Sequence, residues 1–325
     1  MRMFQFDPAS YRTAYEEQGW VHVSEGADQE FLEHLCAESA AEGALGGGTG
    51  PVLKGAGIRG AKSQFLYEPH PDLDLRAELG AMTAIMCGLD AASFTVSERH
   101  IKAYEVGADP DPPAHKDRLS SLVSVGVSIV VPEGSTLVLY PHDDVGENPY
   151  LTTDLRASLE PDALPEDILA GVRGIEIQDR PGDVVVFRGS AFWHRRLRSS
   201  GTVNLYLKCN DFDSDPLGED PTSMQRAART NVLLEGGDEI LDDMVPTLRR
   251  DVEWVGTLVG RDRTARPFAK RWERPPQTLA PERHAALLAV DGRQTWGQLQ
   301  RDSRIDREDL VWLVGRGLID LVPPS

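Results

Sequence analysis

Between residues 92 and 211 the chain carries six short apolar or alternating segments with no convincing helix between most of them: "ASFTVSERHIKAYEVG", "LVSVGVSIVVPEG", "STLVLYPHDD", "GIEIQDRPG", "DVVVFRGS" and "TVNLYLKCND". Side chains alternate between the two faces of a strand, so segments of this kind read as strands with a covered face. Six or more short strands without intervening helices argue for an antiparallel sandwich or barrel.

The flanks read differently. "PASYRTAYEEQGWVHVSEGADQEFLEHLCAESAAEGAL" predicts a helix, a strand over Trp20–Val23 and a second helix with Phe31, Leu32, Leu35 and Cys36 on one side. The glycine-dense "GALGGGTGPVLKGAGIRGAKSQ" reads as a long loop, because glycine loses the most backbone freedom on ordering. "LDLRAELGAMTAIMCGLD" is an amphipathic helix, and the acidic, proline-broken "TTDLRASLEPDALPEDILAGV" is a surface insertion between strands.

The expected organisation is a β domain with N-terminal helices over residues 1–221, a helical extension and linker over 222–279, and a small module over 280–325. The helical reading of the middle part rests on "SMQRAARTNVLLEG" and "EILDDMVPTLRRDVEWVGTLVG", and the linker reading on "RDRTARPFAKRWERPPQ". The last module predicts three short helices and a terminal strand. Thr295 with Gln298 and Asp306 with Asp309 stand where capping boxes would be, and Leu287, Leu288, Trp296, Leu299, Leu310, Leu313, Leu318 and Ile319 are its expected apolar set.

Composition narrows the class. A chain of 325 residues with 40% hydrophobic and 26% charged residues can bury a large core, and it contains no apolar run long enough for a membrane helix. No signal peptide or lipidation motif is readable at "MRMFQFDPASYRTAYEEQGW", and Cys36, Cys87 and Cys209 show no paired spacing, so a cytoplasmic location is expected. The net charge of −18 disfavours a nucleic-acid partner.

The chemistry concentrates in two places. In "PAHKDRLS", His115 and Asp117 are two residues apart, so an extended backbone turns both to one side and Lys116 to the other. Two imidazoles and one carboxylate on one face make the ligand set of a non-heme Fe(II) centre, and this pair supplies two of the three. The third is expected from His194 in "RPGDVVVFRGSAFWHRRLRSSG", with His142 as the only substitute; His22, His34, His70, His100 and His284 have no partner at ligand spacing.

These segments resemble the Fe(II)/2-oxoglutarate-dependent dioxygenases, in which a P-G-D turn (here Pro181-Gly182-Asp183), an apolar strand and a late histidine complete an H-x-D...H triad. "AYEVGADPDPPAHKD" is similar to the tyrosine, glycine and H-x-D run of that family, and "YRTAYEEQGWVHVSEG" is similar to the start of phytanoyl-CoA and prolyl hydroxylases. The resemblance spans residues 8–213. It implies a mainly β core with flanking helices, a cupin-like jelly roll or double-stranded β-helix. It also implies metal ligation and catalysis by His115, Asp117 and His194, with Fe(II), 2-oxoglutarate and O2 as cofactor and cosubstrates.

For 2-oxoglutarate the resemblance implies a cation on the strand after His194 and a hydrogen bond from the Tyr104 position. The usual basic position holds Asn204 or Leu205 here, and Lys208 lies farther along. Lys208 is the first choice, with Lys102 and Arg198 as alternatives. Asp117 marks a difference from family halogenases, which lack this carboxylate, so hydroxylation of a C–H bond is the default outcome and desaturation or cyclisation the variants.

The expected substrate is a small molecule, an amino acid or a specialised-metabolite intermediate from natural product biosynthesis. The C-terminal module resembles small winged-helix-like domains, which leaves open a peptide or protein substrate recruited by it; an apolar C-terminal helix is also compatible with a homodimer. A non-catalytic jelly-roll binding protein is the alternative from another class.

Overall fold

The structure is a computed structural model, and it describes residues 1–41, 62–107, 111–140, 146–150, 155–236, 238–259, 261, 263–271, 274–302 and 304–324. The chain divides into two compact units, Met1–Asp213 and Ser214–Ser325. Among the described residues no helix is long and apolar enough to cross a membrane.

The first unit contains α1 (Arg12–Gln18), β1 (Trp20–Val23), α2 (Gln29–Ala41), β2 (Lys62–Leu66), α3 (Leu75–Cys87), β3 (Thr95–Tyr104), β4 (Val123–Val130), β5 (Thr136–Tyr140), α4 (Leu155–Ser158), α5 (Pro165–Ile168), β6 (Ile175–Ile177), β7 (Val184–Phe187), β8 (Trp193–Leu197) and β9 (Val203–Asn210). The opening helix, strand and helix lie where the periodicity places them. α3 starts at Asp74, whose carboxylate accepts the Ala77 amide, and ends at Gly88 in the left-handed region. The glycine-dense loop lies outside the described residues except for its last residues, which enter β2.

One antiparallel sheet has the order β1-β7-β4-β9-β3-β2 and the other the order β6-β5-β8. An isolated antiparallel bridge pairs His115 with His194 beside the second sheet. From β3 onward the chain passes back and forth between the sheets, except that the consecutive β5 and β6 are paired in the smaller one: β3, β4, β7 and β9 fall in the larger, and the His115 bridge, β5, β6 and β8 in the smaller. This is the winding of a double-stranded β-helix, the jelly roll that the resemblance implies.

Period-two patterning decides what each face touches. Ile101, Ala103, Val123, Val125, Val127, Val184, Val186, Val203, Leu205, Leu207 and Cys209 pack in one core with Leu79, Met82 and Met86 of α3 and Phe31 and Leu35 of α2. Apart from Gly126, the residues between them on β3, β4 and β9 are polar, and Glu98, His100, Lys102, Ser124, Ser128, Asn204 and Lys208 are all buried. On the smaller sheet Leu137, Leu139 and Ile177 close against Val185 and Phe187 of β7. The larger sheet thus stabilises itself against helices on its apolar face and turns a charged face inward.

The second unit comprises α6 (Pro221–Glu235), α7 (Asp238–Leu241), β10 (Val245–Leu248), β11 (Val252–Val259), β12 (Ala265–Arg271), β13 (Gln277–Thr278), α8 (Pro281–Ala289), α9 (Trp296–Arg301), α10 (Arg307–Gly315) and β14 (Ile319–Val322). In the segment expected as a helical extension and linker, "SMQRAARTNVLLEG" is helical in α6, whereas the part from Val245 onward is β: β10 pairs with β14, and β11 with β12. The β-branched residues Val245, Thr247, Val252, Val255, Thr257 and Val259 favour strand over helix there. Leu241 and Ala269 share a core with Trp296, Leu310 and Ile319, so residues before and after 280 are packed together.

The three helices and terminal strand of the tail are present, and both capping boxes form, Thr295 with Gln298 and Asp306 with Asp309. Of the expected apolar set, Leu288 is exposed and the others are buried.

Candidate metal centre

Backbone pairing places the three ligand candidates. The amide and carbonyl of His115 exchange hydrogen bonds with those of His194 at 3.0 and 2.9 Å, and the Asp117 amide donates to the Gly189 carbonyl at 2.9 Å. Residues 115–117 are thereby held extended beside β8, and His115 and Asp117 face the same way. Lys116 points to the other side, is buried, and sets its ammonium over the Trp193 ring while donating to the Gly146 carbonyl.

The side chains of His115, Asp117 and His194 converge: one ligand atom from each lies within 4.8 Å of the others. His194 Nε2 is 3.8 Å from Asp117 Oδ2, and the two imidazole centroids are 4.4 Å apart. His194 Nδ1 faces the Phe192 carbonyl at 3.0 Å and His115 Nδ1 the Pro113 carbonyl at 3.3 Å. A ring nitrogen that faces a carbonyl carries the proton, so Nε2 is the nitrogen of each ring whose lone pair would serve a cation.

Electrostatics agree. Burial, only partly offset by Asp117, pushes the His194 pKa down and keeps the imidazole neutral. Burial opposes ionisation of Asp117, but the surrounding positive groups, Lys208 foremost, together outweigh it and hold the carboxyl well below the usual range. Two imidazoles and an ionised carboxylate are the donor set of a facial triad, and they fit a ferrous ion.

The carboxylate is fixed from several sides. Ser124 Oγ donates to Oδ2 at 2.7 Å, Lys208 Nζ to Oδ1 at 2.6 Å, and Asn148 Nδ2 to the Asp117 carbonyl at 2.9 Å. Gly189 closes the remaining side: a Cβ there would stand 2.1 Å from Ser124 Oγ and 2.7 Å from Asp117 Oδ2.

Behind the triad the chamber is ionic. Glu98 Oε1 lies 2.9 Å from Lys102, 3.1 Å from Lys208 and 3.3 Å from His100, and Arg118 stands 3.4 Å from Oε2. Burial opposes the charge on Glu98, yet Lys102 and Lys208 hold its pKa far down. Two residues beyond His194 on the same strand face, Arg196 makes a forked pair with Asp179 at 3.0 and 2.7 Å and reaches the Ser135 hydroxyl at 3.2 Å.

The sequence-predicted cosubstrate residues separate into two groups. Lys102 and Lys208 face the chamber at Glu98, and Tyr104 follows Lys102 on the same face of β3. Arg198 is exposed with φ +49° at the turn after β8; it donates to the Gly134 carbonyl, and its amide to Asp111 at 2.7 Å. His142 lies outside the described residues.

Sequence reasoning missed Ser124, Gly189, Glu98 and the Arg196–Asp179 pair. One signal was present: in "SERHIKAY" each residue of one strand face is ionisable or phenolic, as a polar chamber requires and a solvated sheet face does not. The segment carrying His194 was itself not read as a strand, because Arg195 and Arg196 obscure its alternation.

No family model matches the chain, and no curated protein does. Among solved structures it is similar to a Pseudomonas putida prolyl-4-hydroxylase, at 15% identity over 63% of this chain and 98% of that one, with a TM-score of 0.42. It is also similar to SnoK, the non-heme α-ketoglutarate-dependent carbocyclase of nogalamycin biosynthesis, at 17% identity over 62% and 83%, TM-score 0.45. A third is EvdO2 from Micromonospora carbonacea var. aurantiaca, at 12% identity over 64% and 92%, TM-score 0.45.

Proposed function

We propose that the chain is an Fe(II)/2-oxoglutarate-dependent oxygenase that oxidises a C–H bond of a small molecule, with hydroxylation as the default outcome. The observation that carries this reading is the convergence of His115, Asp117 and His194 at one end of a cation-lined jelly-roll chamber. His115, Asp117 and His194 would hold the iron. When bound, that iron supplies dioxygen activation coupled to oxidative decarboxylation of the cosubstrate.

The chain's own residues prepare the rest. Lys102 is buried, its ammonium 5.1 Å from the Tyr206 ring centre and 2.9 Å from Glu98, with Tyr104 next on the same strand face. Lys208, the first choice from the sequence, is taken up by Asp117 and Glu98, so we assign Lys102 and Tyr104 to the far carboxylate of 2-oxoglutarate, an anion that a chain of charge −18 would otherwise repel. Asp117 and His194 are each only 6% exposed, whereas His115 reaches solvent. A substrate small enough to enter beside His115 suits that geometry.

Succinate formation from 2-oxoglutarate tests the reading. The wild type is expected to produce succinate when given Fe(II) and oxygen. His115→Ala should produce none, and Lys102→Met should need a raised 2-oxoglutarate concentration. Equal succinate formation by His115→Ala and wild type would overturn the proposal.

A further inference from the structure

The Asp117 carboxylate is shared. Its Oδ2 faces His194 and accepts from Ser124, while its Oδ1 accepts from the Lys208 ammonium at 2.6 Å. Lys208 comes from the inner face of β9, is 5% exposed, and makes its second ion pair with Glu98 at 3.1 Å. Glu98 has Lys102 and His100 as further partners. Lys208 therefore bridges two buried carboxylates, one belonging to the metal centre and one behind it.

An ammonium on one carboxylate oxygen has two effects on a cation approaching the other. It removes Oδ1 as a ligand, so Asp117 offers one oxygen instead of two and leaves more coordination positions for other ligands. It also places a positive charge across a single carboxylate from a divalent ion, in a site where water screens little. We infer that Lys208 is a positioning residue of the metal centre, which restricts Asp117 to ligation through Oδ2 and lowers the site's affinity for divalent cations. This inference rests on the metal-centre reading given above.

Removing a group that orients a ligand usually weakens metal binding. Here the orientation has other supports: Ser124 holds Oδ2, Asn148 holds the Asp117 carbonyl, and the Asp117 amide is bonded to Gly189. The loss of the cation therefore decides the sign, and removing Lys208 should tighten binding. A merely structural lysine would act in the opposite direction.

The test is Co(II) titration of the full chain by calorimetry and visible absorption. Lys208→Met is expected to bind Co(II) on the order of tenfold more tightly than wild type, and Lys208→Arg, which restores the charge, to bind like wild type. Lys208→Gln keeps a polar donor without the charge; it should tighten in the same way and serves if the methionine variant does not fold. Equal or weaker binding by the neutral variants overturns the inference and leaves the metal centre standing. A wild type that takes up no Co(II) overturns the metal-centre reading itself, and this inference with it.

Discussion

Gly189→Ala is the smallest change that addresses the centre without touching a ligand. The residue is not in the left-handed region, so space alone keeps it glycine. Its added methyl would sit 2.1 Å from Ser124 Oγ, 3.0 Å from Ser124 Cβ and 2.7 Å from Asp117 Oδ2. The backbone cannot retreat freely, because the Gly189 carbonyl accepts the Asp117 amide. The serine and the carboxylate must therefore part, breaking the 2.7 Å hydrogen bond between them and turning Oδ2 away from His194.

Overpacking of this kind costs about 1–3 kcal/mol of stability, and losing a group that orients a ligand lowers metal affinity by roughly 10–100-fold. Urea denaturation reads the first and Co(II) calorimetry the second. The expected signature is a folded variant with a small stability loss and a large affinity loss. Wild-type affinity in Gly189→Ala would refute the claim that Asp117 is held in place by close packing.

Two further perturbations probe other buried charges. Asp179→Leu leaves the buried Arg196 without its forked partner, which should destabilise the first unit by about 3–5 kcal/mol; the double variant Arg196→Met/Asp179→Leu should recover most of that in a denaturation cycle, and a purely additive double would contradict it. In the second unit, burial pushes the Asp215 carboxyl up to about 6. The folded state therefore binds this proton more tightly than the unfolded chain, and the stability it contributes is lost as pH rises from about 4 to about 6, by about 3 kcal/mol. Hydrogen exchange of α8 and α10 should show that slope in wild type and lose it in Asp215→Asn; the same slope in both would assign it elsewhere.

The jelly roll was legible because its strands obey period two so strictly. Val123, Val125 and Val127 face the helices while Ser124 and Ser128 face the chamber. Where polar residues occupy both faces of a strand, the pattern disappears. β8 was lost to Arg195 and Arg196, and β12 was read as a linker because Arg266, Lys270 and Arg271 surround its buried Ala269. The ligand candidates were visible since H-x-D is local and a late histidine after a P-G-D turn has a recognisable context. Glu98, Ser124 and Gly189 were not, because their roles come from contacts between different strands: Ser124 meets Asp117 across 7 residues of chain, and Lys208 meets the same carboxylate across 91.

The most direct test of the account is an anaerobic titration of the full chain with Fe(II) and then 2-oxoglutarate, watched for the visible charge-transfer absorption of the chelate. This band should develop with one iron per chain and be lost in His194→Ala. Absence of the band in a folded, Fe(II)-saturated wild type, or its persistence in His194→Ala, would contradict it.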